Sequence, residues 1–140
     1  MARHHKALWV VQWIFGVYFI AVGVTHLVVP DGLPSMLDWM YELDTNIHVV
    51  VGIAEILGGV GLILPGLTGI RSELTVYAAL GLMVVMVGAA IWHASRGEAQ
   101  SIATNVFNAL AMGYVAYGRW KLAPLTSENG SATASKATGT

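Results

Sequence analysis

Glu55 is the residue whose type and position suggest chemistry most directly. It is the only carboxylate within any of four long apolar stretches, and it lies near the middle of the second one. An ionisable side chain at bilayer depth is costly, so by default it faces the protein interior or a water-filled cavity and takes part in proton transfer or ligand binding. A carboxyl group in such a place can serve as a general acid or base. We therefore interpret Glu55 as a catalytic residue.

Glycines accompany Glu55 along one face of the same stretch. Residues three and four positions apart share a helical face, so His48, Gly52, Glu55 and Gly59 form one stripe. Gly23 lies on the first stretch, and small residues of this kind let two membrane helices approach closely. We predict that Gly23, Gly52 and Gly59 pack the helices near the site.

Histidines and asparagines lie on the other apolar stretches. His26 is near the end of the first, His93 is at the end of the third, and Asn105 and Asn108 share one face of the fourth. With a rise of about 1.5 Å per residue, antiparallel helices bring these residues towards one end of a bundle, with Asn108 and Glu55 deepest. We predict a funnel that ends at Glu55, with His26 as a second catalytic residue. The predicted ligand-binding residues are His48, His93, Asn105 and Asn108. Interhelical hydrogen bonding is the structural alternative for each polar residue.

The composition identifies the environment of these residues. Hydrophobic residues make up 56% of the chain and charged residues 11%, against roughly 25% charged residues in ordinary soluble domains. A helical span needs about 20 apolar residues. Four candidate spans cover about 6–29, 46–64, 74–93 and 102–117. The sequence therefore predicts an all-α fold, a membrane four-helix bundle in a single domain over residues 1–125, in contact with the lipid bilayer. Residues 126–140 have no apolar face to bury and are predicted to be disordered.

The connection between the first two spans is predicted to form a short interfacial helix. Leu33, Met36, Leu37 and Met40 recur at helical spacing, with acidic residues on the other side. Basic residues, including Arg119, concentrate near the chain ends and the second connection, and the positive-inside rule then places both termini in the cytoplasm. We predict a multi-pass protein of the inner or plasma membrane.

Charge and cysteine content exclude several classes of function. The formal net charge is −1 and the basic residues are scattered, so we expect no nucleic-acid partner. The chain has no cysteine, which excludes iron–sulfur clusters, thiol relays and disulfides. No metal site is predicted. Haem is a minor option because three histidines share one level, although axial ligands would be expected deeper in a bundle.

Two runs carry a resemblance to a known family. They are Gly23-Val-Thr-His26-Leu-Val-Val-Pro30 and Gly52-Ile-Ala-Glu55-Ile-Leu-Gly58-Gly59-Val-Gly61-Leu-Ile-Leu-Pro65. In order and spacing they resemble the DoxX and DoxX-like membrane proteins over most of the chain. The resemblance implies a four-span layout, with His26 and Glu55 at motif positions. It also implies an association with thiosulfate:quinone oxidoreduction and membrane redox complexes, hence quinone as a cofactor and a partner redox subunit.

Several functions are compatible with these residues. The favoured one is a quinone-linked or lipophilic-ligand-binding redox subunit, in which Glu55 exchanges a proton and His26 or His48 bonds a carbonyl oxygen. An alternative is a membrane-embedded isomerase, cyclase or hydrolase that uses Glu55 for acid–base catalysis on a lipophilic small molecule. The same small-residue stripes and membrane glutamate would also suit a small transporter, or a structural or assembly subunit that acts as a homo-oligomer or within a larger complex. These residues are compatible both with a chain that is catalytic alone and with one that needs a partner.

Overall fold

The computed structural model describes residues 2–126, and every regular element in this part of the chain is a helix. The elements are α1 (Ala2–Val28), a 3-10 helix that we call the cap helix (Ser35–Tyr41), α2 (Thr45–Thr68), α3 (Leu74–Arg96), α4 (Ala99–Tyr117) and a π-helical turn that continues α4 (Gly118–Leu122). The predicted all-α fold is confirmed. The segment predicted to be disordered lies, apart from Thr126, outside the described residues.

Local sequence explains where α2 and α3 begin and end. The Asp44 side chain accepts a hydrogen bond from the backbone N–H of Asn46, which caps the start of α2. Gly69 (φ 67°) and Gly97 (φ 72°) end α2 and α3 in the left-handed conformation, which glycine adopts without steric cost. Because α2 continues through Pro65, it is longer than the predicted second span.

Three helices are long and apolar enough to cross a membrane: α2, α3 and most of α1 (Arg3–Val28). The sequence predicted four such spans, and α4 is the exception. Its first half carries the polar residues Gln100, Ser101, Thr104, Asn105 and Asn108. These side chains raise the cost of placing α4 in hydrocarbon. The helix count also needs correction: the described residues form five helices rather than four, because the cap helix is a fifth and the π-helical turn is continuous with α4.

The four α-helices pack in sequence order, whereas the backbones of α1 and α4 approach each other at few points and are joined by side chains, such as the Phe15–Phe107 ring pair. Their shared core is apolar and consists of Phe19, Leu62, Ile63, Ala79, Leu82, Met86, Met112, Val115 and Ala116. Along the glycine seam between α1 and α2, formed by Gly16, Gly23, Gly52 and Gly59, the two backbones touch directly. A methyl group on Gly23 would lie 2.7 Å from the Gly52 carbonyl oxygen, and one on Gly59 would lie 2.6 Å from that of Gly16. Only residues without a side chain allow this approach.

The cap helix crosses one end of the bundle. It follows Pro34 and is held by tight i→i+3 hydrogen bonds, such as the one that Leu37 N–H donates to the Pro34 carbonyl oxygen. Met40 is buried and Trp39 is half-buried, so the apolar side of the cap helix faces the bundle. The predicted interfacial helix is therefore present, in 3-10 rather than α-helical form.

The opposite end of the bundle holds a buried arginine. Arg119 is 2% exposed and donates from Nε to Gln12 Oε1 (2.5 Å) and from Nη1 to the Ala123 carbonyl oxygen (3.1 Å). Gln12 donates in turn to the Leu62 carbonyl oxygen. These bonds join α1, α2 and the turn after α4. Burial lowers the pKa of Arg119 to about 10, so the guanidinium keeps its charge at neutral pH.

Candidate functional site

A cavity of about 450 Å³ lies beneath the cap helix, between the four α-helices. About half of its lining residues are aliphatic or methionine, and α4 adds the uncharged polar residues Gln100, Ser101, Thr104 and Asn105. The aromatic and ionisable residues of the wall are Tyr18, His26, Trp39, Glu55, Trp92 and His93. A concave, mainly apolar space with a few convergent polar groups is typical of a small-molecule site.

Glu55 lies in the wall of this cavity and is 2% exposed. Its Oε2 atom has no hydrogen-bond partner in the described part of the chain. The Nε2 atom of His26 is 3.9 Å from Oε2, too far for a direct hydrogen bond. Because a buried polar atom without a partner is costly, this gap is suited to hold a polar atom of a ligand between the two side chains.

His26 is held from behind by His48. The Nδ1 atoms of the two rings are 2.9 Å apart, and His48 Nε2 is 2.7 Å from the Met40 carbonyl oxygen of the cap helix. Both rings are buried. Since both nitrogens of His48 are engaged and the residue is not part of the cavity wall, the structure places it as a support for His26.

His93 belongs to a charged cluster at the rim of the cavity. Its Nδ1 donates to Glu98 (2.5 Å), which also accepts from Arg96 Nε (2.8 Å). Arg96 pairs as well with Glu42, which directly follows the cap helix. The hydrogen bond from His93, followed by that from Arg96, holds the pKa of Glu98 below its usual range. The cluster therefore fastens the cap helix to the connection between α3 and α4.

We expect acidification to loosen the cap helix. Because the pKa of Glu98 is lower in the folded protein than in the unfolded chain, its stabilising effect is complete above the usual range of a glutamate and is lost as the pH falls through the lower folded value. Fluorescence of the cavity-wall tryptophans, Trp39 and Trp92, should therefore change as the pH is lowered from about 6 to about 3. The change should be absent in Glu98→Gln and retained in Asp31→Asn, a charge removal on the exposed loop before the cap helix. If Glu98→Gln showed the same fluorescence change as the parent protein, Glu98 would not be the group that holds the cap helix.

Aromatic rings pack together on the cap-helix side of the cavity. The ring of Trp39 is centred 5.8 Å from that of His26 and 4.8 Å from that of His93. Trp92 packs against the rings of Trp39 and His93, with centroid distances of 6.1 Å and 4.9 Å. Edge-to-face contacts of this kind stabilise aromatic clusters beyond simple burial. The cap helix thus connects two of the predicted site histidines.

The two asparagines of α4 occupy different surroundings. Asn105 lines the cavity, and its Nδ2 donates to the Ser101 carbonyl oxygen one turn earlier (2.8 Å). Asn108 is buried but outside the wall, and its Nδ2 donates to the Tyr18 hydroxyl oxygen (3.2 Å). Because Tyr18 accepts this bond, its own O–H is left as a donor at the cavity wall.

The structure brings four of the predicted site residues to the cavity wall: His26, Glu55, His93 and Asn105. The others stand behind this wall, with His48 against His26 and Asn108 against Tyr18. The three predicted packing glycines, Gly23, Gly52 and Gly59, lie in the glycine seam. Catalytic and ligand-binding roles for these residues stay predictions.

Sequence reasoning missed four residues of the site, one of which, Trp92, directly precedes the predicted His93. Tyr18 precedes His26 by two helical turns, a spacing that puts both on one face of α1 and could have revealed it. Trp39 lies in the cap helix and Glu98 directly before α4, at positions whose contacts helical spacing does not reveal. Their place in the site depends on how the chain turns back across the end of the bundle.

Comparison with known proteins adds one match. The model of the DoxX-like family matches residues 10–123, a segment that runs from α1 to just past the π-helical turn and includes both His26 and Glu55. A search of curated proteins found no match, and a search of solved structures found none either. Since the family match covers well over half of the chain, this protein belongs to the DoxX-like family.

Proposed function

We propose that this membrane protein holds a lipophilic small molecule in the cavity beneath the cap helix and exchanges a proton with it through Glu55. The observation that supports the proposal is the buried Oε2 atom of Glu55, which has no partner in the described chain and faces His26 across 3.9 Å. The apolar wall would bind the body of the ligand, and a polar group of the ligand would complete the bonding of Glu55.

Access from the side of the bundle is part of the proposal. The backbones of α1 and α4 approach each other at few points, although both contribute residues to the cavity wall. A lipophilic molecule dissolved in the bilayer would reach the cavity between these two helices when the side chains that join them, such as Tyr18 and Asn108, move apart. The cap helix, fastened by Arg96 and Glu42, would keep the adjoining aqueous phase out.

A quinone is the ligand class that suits both this cavity and the redox role implied by the family resemblance. When bound, a quinone supplies two-electron chemistry coupled to proton exchange at its oxygen atoms. Glu55 would hold or release a proton at its carboxyl oxygen, and Trp39 and Trp92 would contact the ring. Because the chain has no cysteine, electrons would come from a partner redox subunit rather than from thiols of this protein.

One observation favours a second function, acid–base catalysis on a lipophilic substrate without electron transfer. Glu55 and His26 face the same point of the cavity from two helices, as an acid and a base would in an isomerase, cyclase or hydrolase. Turnover of a lipophilic compound by the purified protein, with no electron acceptor present, would distinguish this function from the redox one.

Mass spectrometry of lipophilic molecules that copurify in mild detergent tests the proposal. We expect one compound to be enriched with the parent protein and to fall at least about tenfold in Glu55→Leu, since that side chain can neither exchange a proton nor form a hydrogen bond with the ligand. The matched control is Glu73→Leu, the same chemical change at the start of α3, at the far end of the bundle. Equal retention of the compound by both variants would contradict a ligand site at Glu55.

A further inference from the structure

The hydrogen bonds behind His26 determine which of its nitrogens carries a proton. A carbonyl oxygen can only accept, so His48 Nε2, 2.7 Å from the Met40 carbonyl oxygen, is a donor. In a neutral imidazole the other nitrogen is then an acceptor, and His48 Nδ1 accepts from His26 Nδ1 at 2.9 Å. His26 Nε2 is consequently left without a proton. It presents a lone pair towards Glu55 and the cavity.

His26, His48 and Glu55 are all buried. His26 is 4% exposed and His48 is 5% exposed, and the two rings pack against each other. A charge on either ring would be buried beside a second imidazole, which is costly. Glu55, in an apolar wall and without a hydrogen-bonded partner for Oε2, is most stable as the neutral acid. The neutral acid carries one O–H donor.

The end of the cavity therefore offers one donor and one acceptor, 3.9 Å apart. A single oxygen atom can lie about 2.8 Å from both of them, to one side of the line that joins them. A hydroxyl oxygen there donates to His26 Nε2 and accepts from Glu55, so all groups are satisfied. A carbonyl oxygen also accepts from Glu55, but it places its lone pairs against that of His26.

We propose that the His26–Glu55 end of the cavity selects lipophilic ligands that carry a hydroxyl group over otherwise identical ligands that carry a carbonyl group. The selection rests on the proposed function, because it needs a ligand in this cavity. For a quinone-type ligand it means that the reduced, hydroxyl-bearing form is held more tightly than the oxidised form. His48 is the positioning residue, since it orients the proton of His26 without lining the cavity.

Three redox-inert probes with one carbon skeleton test the selection: menthol (an alcohol), menthone (the matching ketone) and p-menthane (the hydrocarbon). Their affinities for the detergent-solubilised protein can be measured by the fluorescence of Trp39 and Trp92, which line the cavity. We expect menthol to bind roughly tenfold more tightly than menthone. The hydroxyl group of menthol donates a hydrogen bond to His26 Nε2, whereas the carbonyl oxygen of menthone faces that nitrogen with a lone pair. Menthone at least as tight as menthol would overturn the selection while leaving a lipophilic site in place. Failure of all three probes to bind would overturn the proposed function as well.

Variants of His48 test whether the preference for menthol depends on how His48 orients the proton of His26, rather than on the shape or polarity of the cavity in general. In His48→Leu the proton of His26 is no longer held on Nδ1, so the preference for menthol should fall to nearly one. In His48→Gln the side chain can still accept from His26 and donate to the Met40 carbonyl oxygen, so the preference should be retained. Comparing the menthol-to-menthone ratio between variants cancels the partitioning of the probes into detergent. An unchanged ratio in His48→Leu would overturn the orientation mechanism, and His48→Phe, which also cannot accept from His26, provides the same reading if His48→Leu does not fold.

Discussion

Arg119→Leu is expected to lower the free energy of unfolding by about 2–3 kcal/mol, because it removes the three hydrogen bonds of a charged donor, to Gln12, His5 and the Ala123 carbonyl oxygen. It also leaves the side-chain oxygen of Gln12, Oε1, buried without its hydrogen-bond donor. The loss is partly offset, since the buried guanidinium already has one nitrogen, Nη2, without a hydrogen-bond partner in the described chain. Unfolding in a denaturing detergent, followed by circular dichroism, measures the change.

A double variant sharpens this prediction. Arg119→Leu combined with Gln12→Leu should recover part of the lost stability, because the side-chain oxygen of Gln12 is no longer buried without a donor; the recovery is incomplete because the bond from Gln12 to the Leu62 carbonyl oxygen is lost too. Lys121→Leu is the matched control, because Lys121 is exposed two positions away, and it should change the free energy of unfolding by no more than about 0.5 kcal/mol. If Arg119→Leu were as mild as Lys121→Leu, the buried arginine would not link the helices.

Gly59→Ala is expected to cost about 1–3 kcal/mol of stability, because the added methyl group would lie 2.6 Å from the Gly16 carbonyl oxygen and push α1 away from α2. The nearby backbone cannot yield as a flexible side chain would. His26 on α1 and Glu55 on α2 flank the same interface, so the shift should also weaken binding in the cavity. Thermal unfolding and probe binding measure the two effects.

Gly81→Ala is the control for this substitution. Nothing lies within 4 Å of a methyl group at Gly81, and alanine favours helix over glycine by up to about 1 kcal/mol. The two variants make the same chemical change on neighbouring helices, yet they should shift stability in opposite directions. Similar effects from both would mean that the seam tolerates separation and that helix propensity dominates.

The fold was largely predictable because its signals are local. Long apolar runs predict membrane helices, and the stripe of Gly52 and Gly59 predicts a close helix contact. The fourth span stays a prediction: α4 is less apolar than the other three long helices for a local reason too, since polar residues crowd its first half. The 3-10 form of the cap helix was not predictable from the spacing of Met36 and Met40, because short helices of both kinds show similar patterns.

The candidate site was predictable only in part. Glu55 and His26 stand out because ionisable residues are rare in apolar runs. Arg119 misled, since a basic residue near a predicted span end reads as an orientation signal and not as a buried hydrogen-bond donor. The Arg96–Glu42 pair and the Arg119–Gln12 bond join residues far apart in the chain. Such pairings depend on the final arrangement of the helices, which no local pattern encodes.

The wide spacing of the α1 and α4 backbones, along which we propose that a ligand enters, affects how affinity for this protein should be expressed. A molecule that reaches the cavity from the side comes from solution in lipid, where an apolar compound is far more concentrated than in water. Occupancy is then set by the mole fraction of the compound in the membrane. Two preparations with the same total amount of ligand but different amounts of lipid would show different apparent dissociation constants, and only constants referred to the lipid phase would agree.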